Sequence, residues 1–411
     1  MTLLIQNCTL ETGFNVVNQQ VVSTKTERYD VLIADGIISN IAKEIPTTPE
    51  MMVIDAQHAL LLPALKEMHI HIDKTYFGGP WQACTPITNG IFTRFEEERT
   101  LLPNQLDTAY ERACHVIEHY LAQGHHHIRS HCNVDPYIGT KHIELTKKAL
   151  ETYQDYLTYE IVAFPQHGLL RSQVLPLMKE ALSMGATHVG GVDPSTVDRD
   201  VDRSLATILE LAVEFDAGVD VHLHNRDSLG EYEFYKLADY TKQANKHHQV
   251  TISHGMALGD LAGEALENML ETLISVGIDV TTTVPINRPT MPIPYLVSQG
   301  LKVSLGHDSL TDHWSPFGTG NTIDKMNVLA QRFGLSDELR LSRIWQYGAG
   351  GLSPLDESGQ QTWPYIGAAA NAILVAAESS AHAIARKRPI THVITNGICA
   401  YQQSNPIDQG E

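Results

Sequence analysis

His69 and His71 stand one residue apart at the end of the apolar run Leu60-Leu-Leu-Pro-Ala-Leu-Lys-Glu-Met-His-Ile-His-Ile-Asp73. Alternate side chains of a strand share a face, so both imidazoles turn to one side. Two convergent neutral imidazoles are most of the protein nitrogen that a catalytic Zn²⁺ or Fe²⁺ takes up. Three more segments have the same form, an apolar or β-branched run ending in ligand-capable residues. They are Gly218-Val-Asp-Val-His-Leu-His224, Val250-Thr-Ile-Ser-His254 and Lys302-Val-Ser-Leu-Gly-His-Asp308. Each reads as a short buried strand whose last residues emerge at a common mouth. A single histidine on an apolar face is ordinarily a hydrogen-bonded core residue. Four strands delivering His69, His71, His222, His224, His254 and Asp308 to one end point instead to a metal site.

The elements that must position these residues follow from the pattern of the chain. Residues 1 to 62 are β-rich, with strand-like stretches Leu3–Leu10, Tyr29–Ala34, Gly36–Ile45 and Met51–Asp55 and a hairpin signal at Asp35-Gly36. Beyond them, strand-like pieces near 65–71, 126–134, 159–165, 188–193, 218–224, 250–255, 279–284 and 302–308 alternate with helical stretches. Asn104–Gln123, Thr140–Asp155, Asp200–Asp216 and Gly230–Lys246 are the clearest helices. Eight strands alternating with helices over roughly 250 residues predict an α/β fold, a (β/α)8 TIM barrel spanning 63–354. After residue 355 the chain is β-like again, with Ala370–Ala376 and His392–Ile398 around a helical Ser379–Lys387. Segments 1–62 and 355–411 are expected to form one small β-sandwich-like domain built from both chain ends. Active sites of such barrels lie at the C-terminal ends of the strands. The candidate residues then sit on barrel strands 1, 5, 6 and 8.

Composition narrows the function classes. A net charge of −19 over 411 residues argues against binding nucleic acid or an anionic membrane. Cys8, Cys84, Cys114, Cys132 and Cys399 are odd in number, widely spaced and free of any Cys-x-x-Cys pattern. That excludes a disulfide framework and a zinc-finger pattern and fits a reducing compartment. No basic, then apolar leader and no membrane-spanning run is evident, so a cytoplasmic protein is expected. His125-His126-His127 and His247-His248 fall where helices give way to strands and need no function. No Gly-x-Ser-x-Gly elbow supports a serine nucleophile.

With these motifs in place, the chain resembles the amidohydrolase superfamily, in particular its cytosine deaminase-like branch. The carrying pieces are His-Ile-His-Ile-Asp-Lys at 69–74, Ile-Val-Ala-Phe-Pro-Gln at 161–166, Val-His-Leu-His at 221–224, Thr-Ile-Ser-His at 251–254 and Gly-His-Asp-Ser at 306–309. The resemblance implies one divalent metal, zinc or iron, held by His69, His71, His222 and Asp308. It implies that His254 meets the metal-bound hydroxide or the tetrahedral intermediate, and that Gln166 contacts the substrate. It also implies a homo-oligomer. Two-metal members bridge their ions with a lysine on strand 4, and Thr187-His-Val-Gly-Gly-Val-Asp-Pro194 has none, which favours a single metal.

One departure stands out. The branch carries His-x-x-Glu after strand 5, with the Glu shuttling a proton; here the motif is His222-Leu-His-Asn225, and an amide cannot exchange a proton in that way. The site pattern is more similar to the N-isopropylammelide isopropylaminohydrolase group. That group combines His-x-His-x-x-Lys after strand 1, His-x-His after strand 5 and a Trp six residues past the aspartate, here Lys74, His224 and Trp314.

A hydrolase that attacks a C–N bond of a small nitrogen heterocycle and releases ammonia or a small amine is therefore expected. Its metal brings the pKa of water down toward roughly 7. Asp308 serves as base and then acid, and His254 stabilises the oxyanion. Lys74 polarises a ring carbonyl or hydroxyl, and His224 supplies a further hydrogen bond. Gln166, Trp314 and Asn225 line the substrate. The alternatives are a ring-opening cyclic-amide hydrolase and a non-catalytic homologue.

Overall fold

Pro63 and Ala64 mark the place where the chain passes from one sheet to the other. The computed structural model describes residues 2–403. Before this point lie β1 (Thr2–Val17), β2 (Gln20–Ala34), β3 (Ile37–Ala42), β4 (Met52–Asp55) and β5 (Leu60–Pro63). After it come eight strands: β6 (Leu65–Ile70), β7 (His125–Asn133), β8 (Thr158–Phe164), β9 (His188–Val192), β10 (Gly218–His222), β11 (Val250–Ser253), β12 (Asp279–Thr282) and β13 (Val303–Leu305). The chain returns through β14 (Ala372–Val375), β15 (Ile390–Thr395) and β16 (Ile398–Gln402).

Strands β6 to β13 pair in chain order, all parallel, with helices between them: the TIM-barrel arrangement read from the sequence. The seam between first and last strand is stitched by the candidate residues themselves. The His71 amide donates to the Asp308 carbonyl at 3.0 Å, and the Asp308 amide donates to the His69 carbonyl at 2.7 Å. Glu67, fully buried on β6, accepts from the amides of His69 (2.9 Å) and His307 (3.0 Å) and pairs with the His307 ring. Closing the barrel and placing the imidazoles are thus one structural event.

A separate sheet is formed from the chain ends, in the order β16-β15-β14-β5-β1-β2-β3, with β4 beside β1. Its core includes Leu3, Ile5, Leu61, Trp363 and Leu374. The turn at Asp35-Gly36 is present, both residues at positive φ (51° and 76°) as a tight hairpin requires. The β1–β2 hairpin runs well past Leu10, because residues 11–28 form a largely polar, bulged ladder that hydrophobic alternation does not reveal.

The first barrel helix, Ile91–Ala122, begins well before Asn104. Pro103 lacks an amide donor and makes the next residue look like a helix start. The turns ahead of it are held by tertiary contacts: Arg94, buried, bonds the carbonyl and hydroxyl of Thr85 at 2.8 Å each. Among the described residues, no helix is long and apolar enough to cross a membrane.

Candidate metal centre and active site

His69 lies at the end of β6 and His71 just beyond it; His222 ends β10, and Asp308 follows β13. One ligand atom from each of the four lies within 4.8 Å of the others. Asp308 Oδ1 is 3.2 Å from His69 Nε2 and 3.4 Å from His71 Nε2, and His222 Nε2 is 3.4 Å from His71 Nε2.

The protons of two rings are accounted for elsewhere. Ser253 Oγ donates to Asp220 Oδ1 at 2.5 Å, so it accepts from His69 Nδ1 at 2.7 Å. His71 Nδ1 donates to the His131 carbonyl at 3.1 Å. Both Nε2 atoms therefore present lone pairs toward Asp308, an arrangement of acceptors with no proton to share. Burial disfavours the charged form of the rings and pushes the pKa of His71 and His222 down, keeping them neutral. Neutral imidazoles with a carboxylate are the donor set a divalent cation takes, and anchored second nitrogens hold such ligands in one tautomer.

His254 follows β11 with its backbone at φ 70°, and Asp308 stands at φ 66°, both left-handed and uncommon for residues with a Cβ. The His254 ring centroid is 4.9 Å from that of His69 and 4.2 Å from that of His224, and its buried Nε2 has no hydrogen-bond partner among the described residues. Gly306 explains how β13 comes so close to β6. A Cβ there would lie 2.5 Å from His69 Cβ and 2.9 Å from its amide nitrogen. Gly306→Ala is expected to displace His69 and weaken metal affinity about 10- to 100-fold, as loss of ligand support does. Metal titration of the folded variant checks this, and wild-type affinity would refute it.

Lys74 is buried and is no solvated loop cation. Its Nζ donates to Gln166 Oε1 (2.7 Å), Asn133 Oδ1 (3.1 Å) and Glu98 Oε1 (3.4 Å). All three ammonium hydrogens thus have protein acceptors. Trp314 donates its indole N–H to Glu98 at 2.9 Å and packs near Phe95. Gln166 lies two residues past Phe164, whose ring stacks on His222 at 4.1 Å. Glu98 escaped the sequence reading. It sits in the run Glu96-Glu97-Glu98, where nothing in the sequence separates the buried carboxylate from its solvated neighbours.

His224, half-buried, is oriented by a second unread residue, Asp193. That carboxylate accepts from the His224 amide at 2.6 Å and from its Nδ1 at 2.9 Å. Burial of the ring opposes protonation, yet Asp193 outweighs it and raises the pKa of His224. Val192-Asp193 after β9 has the same apolar-then-polar form as the other strand ends, a signal that could have revealed it. Asn225 is engaged at both ends by protein: its amide donates to Ser195 Oγ (2.8 Å) and Glu233 (3.0 Å), and its oxygen accepts from Thr196 (2.7 Å). The structure therefore shows Asn225 tied into the loops around the site. His125 and His127 are held by Tyr120, Thr322 and Thr158, in line with a packing role.

A family model described as the amidohydrolase family matches residues 52–347. The chain is 37% identical over 396 residues to YahJ of Escherichia coli (strain K12), described as an uncharacterized protein, covering 96% of this chain and 86% of that one. It is 30% identical over 341 residues to N-isopropylammelide isopropyl amidohydrolase of Pseudomonas sp. (strain ADP), covering 80% of this chain and 83% of the relative. The crystal structure of N-isopropylammelide isopropylaminohydrolase from Burkholderia multivorans ATCC 17616 superposes with a TM-score of 0.84 at 28% identity, covering 97% of each chain.

Proposed function

Because the chain belongs to the amidohydrolase family and is a hydrolytic enzyme acting on C–N bonds, we propose that it is a metal-dependent deaminase or aminohydrolase of a small nitrogen heterocycle. The observation that carries this reading is the set of facing acceptors: two imidazole lone pairs and the Asp308 carboxylate turned on one point with no proton between them. His69, His71, His222 and Asp308 would hold one divalent ion, Zn²⁺ ahead of Fe²⁺, which would supply the acidity that makes hydroxide available near neutral pH. The relatives named for isopropylammelide chemistry support a heterocyclic substrate with ammonia or an alkylamine leaving.

The chain's own groups complete the reaction. Asp308, partly open to the mouth, takes the proton of the attacking water and passes it to the leaving nitrogen. His254 Nε2 meets the oxygen that becomes negative at the attacked carbon. His224, held by Asp193, donates a hydrogen bond to the ring from the side where the usual glutamate is absent. Gln166 and Trp314 form the wall opposite. Lys74 acts through Gln166, and Asn225 acts by holding the loops after β9 and β10. Five free thiols fit a cytoplasmic location, and a homo-oligomer is carried over from the family resemblance.

The test is a screen of amino- and alkylamino-substituted pyrimidines, triazines, pterins and purines for amine release, with metal content measured in the same sample. One equivalent of metal per chain and activity lost on chelation, then restored by Zn²⁺ or Fe²⁺, are expected. Full activity in metal-free protein would refute the metal reading. A new carboxylate without free amine would point to ring opening.

A further inference from the structure

Glu98 collects five donors on one buried carboxylate. Oε1 accepts from His313 Nε2 (2.9 Å), Trp314 Nε1 (2.9 Å) and Lys74 Nζ (3.4 Å). Oε2 accepts from His167 Nε2 (2.7 Å) and Asn133 Nδ2 (3.3 Å). These groups come from the ends of β6, β7 and β8 and from the loop after β13, so a single residue of the first helix ties four separate segments together.

The consequence reaches Gln166. An ammonium only donates, so Gln166 must turn its Oε1 toward Lys74, as it does at 2.7 Å. Its Nε2 is then forced to the other side. Gln166 is only 5% exposed, and that Nε2 makes no hydrogen bond with the described protein. Lys74 cannot swing away to release the amide, because Glu98 and Asn133 hold its other hydrogens. Asn133 in turn is fixed in one orientation, oxygen to Lys74 and nitrogen to Glu98. Trp314 has its one N–H committed to Glu98 and offers a ring only its π face. The wall is left with a single defined polar group, a donor.

We propose that Glu98 is a positioning residue that fixes the hydrogen-bond polarity of the substrate-facing wall, so that Gln166 presents a donor and the site selects heterocycles with a ring oxo group over their amino-substituted counterparts. The inference rests on the function proposed above. A ring amino group facing Gln166 sets donor against donor in a buried place, and an unpaired buried donor costs enough to weaken binding about tenfold or more.

Calorimetric binding of uracil and of 2,4-diaminopyrimidine to the metal-loaded enzyme tests it. The wild type is expected to bind uracil about tenfold more tightly or better. Glu98→Gln places a donor among five donors and loosens Lys74; the preference is expected to fall to about twofold or less, with metal content unchanged. Glu98→Asp, which keeps the charge, is expected to restore most of the preference. Gln166→Glu, an acceptor in place of the donor, is expected to reverse it. If Glu98→Gln does not fold, the double variant Lys74→Met with Glu98→Gln removes the buried pair together and must lose the preference as well. An unchanged preference in folded Glu98→Gln or in the folded double variant, or none in the wild type, overturns the proposal. Failure of the proposed function reads differently: no heterocycle in the screen would release amine, whatever the ligand preference.

Discussion

Asp308→Asn is expected to lower turnover about 10³- to 10⁴-fold, the upper range for loss of a general acid–base group. The carboxylate sits between two imidazole nitrogens at 3.2 and 3.4 Å and keeps a partly open face toward the mouth. It is the one residue of the cluster able to carry a proton from water to leaving group, since the rings have their own protons committed or are buried. The amide of Asn can still offer an oxygen to the metal, so metal content and turnover separate in this variant. Rates should be compared at equal metal occupancy. A fully metallated Asp308→Asn enzyme with near-normal turnover would remove Asp308 from proton transfer. His254→Asn should cost less, about 10²-fold, as for one oxyanion partner. Asn225→Ala, which touches neither the ligand cluster nor the Gln166 wall, should be milder still.

Lys74→Ala is expected to destabilise the fold by about 3–5 kcal/mol, the range for breaking a buried ion pair from one side. Lys74 and Glu98 are 1% and 0% exposed at their side chains. Burial disfavours both charged forms, but Glu98 and other acids around Lys74 raise its pKa, and Lys74 with His167 and His313 holds the Glu98 carboxyl well below the usual range. Removing the cation leaves that carboxylate in the interior without its buried lysine partner. Lys74→Met combined with Glu98→Gln should recover most of the loss, because both charges then leave the interior together. Denaturant unfolding of Lys74→Met, Glu98→Gln and the double variant measures the coupling. Additive single effects would show that the pair is not coupled. Activity behaves otherwise: the double variant should stay impaired, because Gln166 remains unanchored even when the fold is restored.

The candidate metal cluster was legible because each of its residues is announced locally. A strand that is buried on both sides reads as an apolar run, and a polar residue at its end has few other reasons to be there. This holds for His69, His71, His222, His254 and Asp308, and it would have held for Asp193 had Val192-Asp193-Pro194 been read as the same signal. The eight-strand alternation likewise follows from local pattern, and with it the barrel. The extension of the β1–β2 ladder past Leu10 and the start of the first helix escape the sequence for related reasons: a polar, exposed hairpin carries no alternation, and Pro103 imitates a boundary.

Tertiary structure alone decided which charges are buried. Glu96, Glu97 and Glu98 are indistinguishable in sequence, yet only the last is enclosed by donors from four other segments. The same holds for Lys74, which a sequence allows to be a solvated cation or a substrate ligand. In the fold its three hydrogens are spent on Glu98, Asn133 and Gln166, residues 24, 59 and 92 positions away. Local patterns report whether a segment is buried and on which face. The partner of a buried charge is set by which distant segments converge on it, and the energy of that pairing is felt only once water is gone.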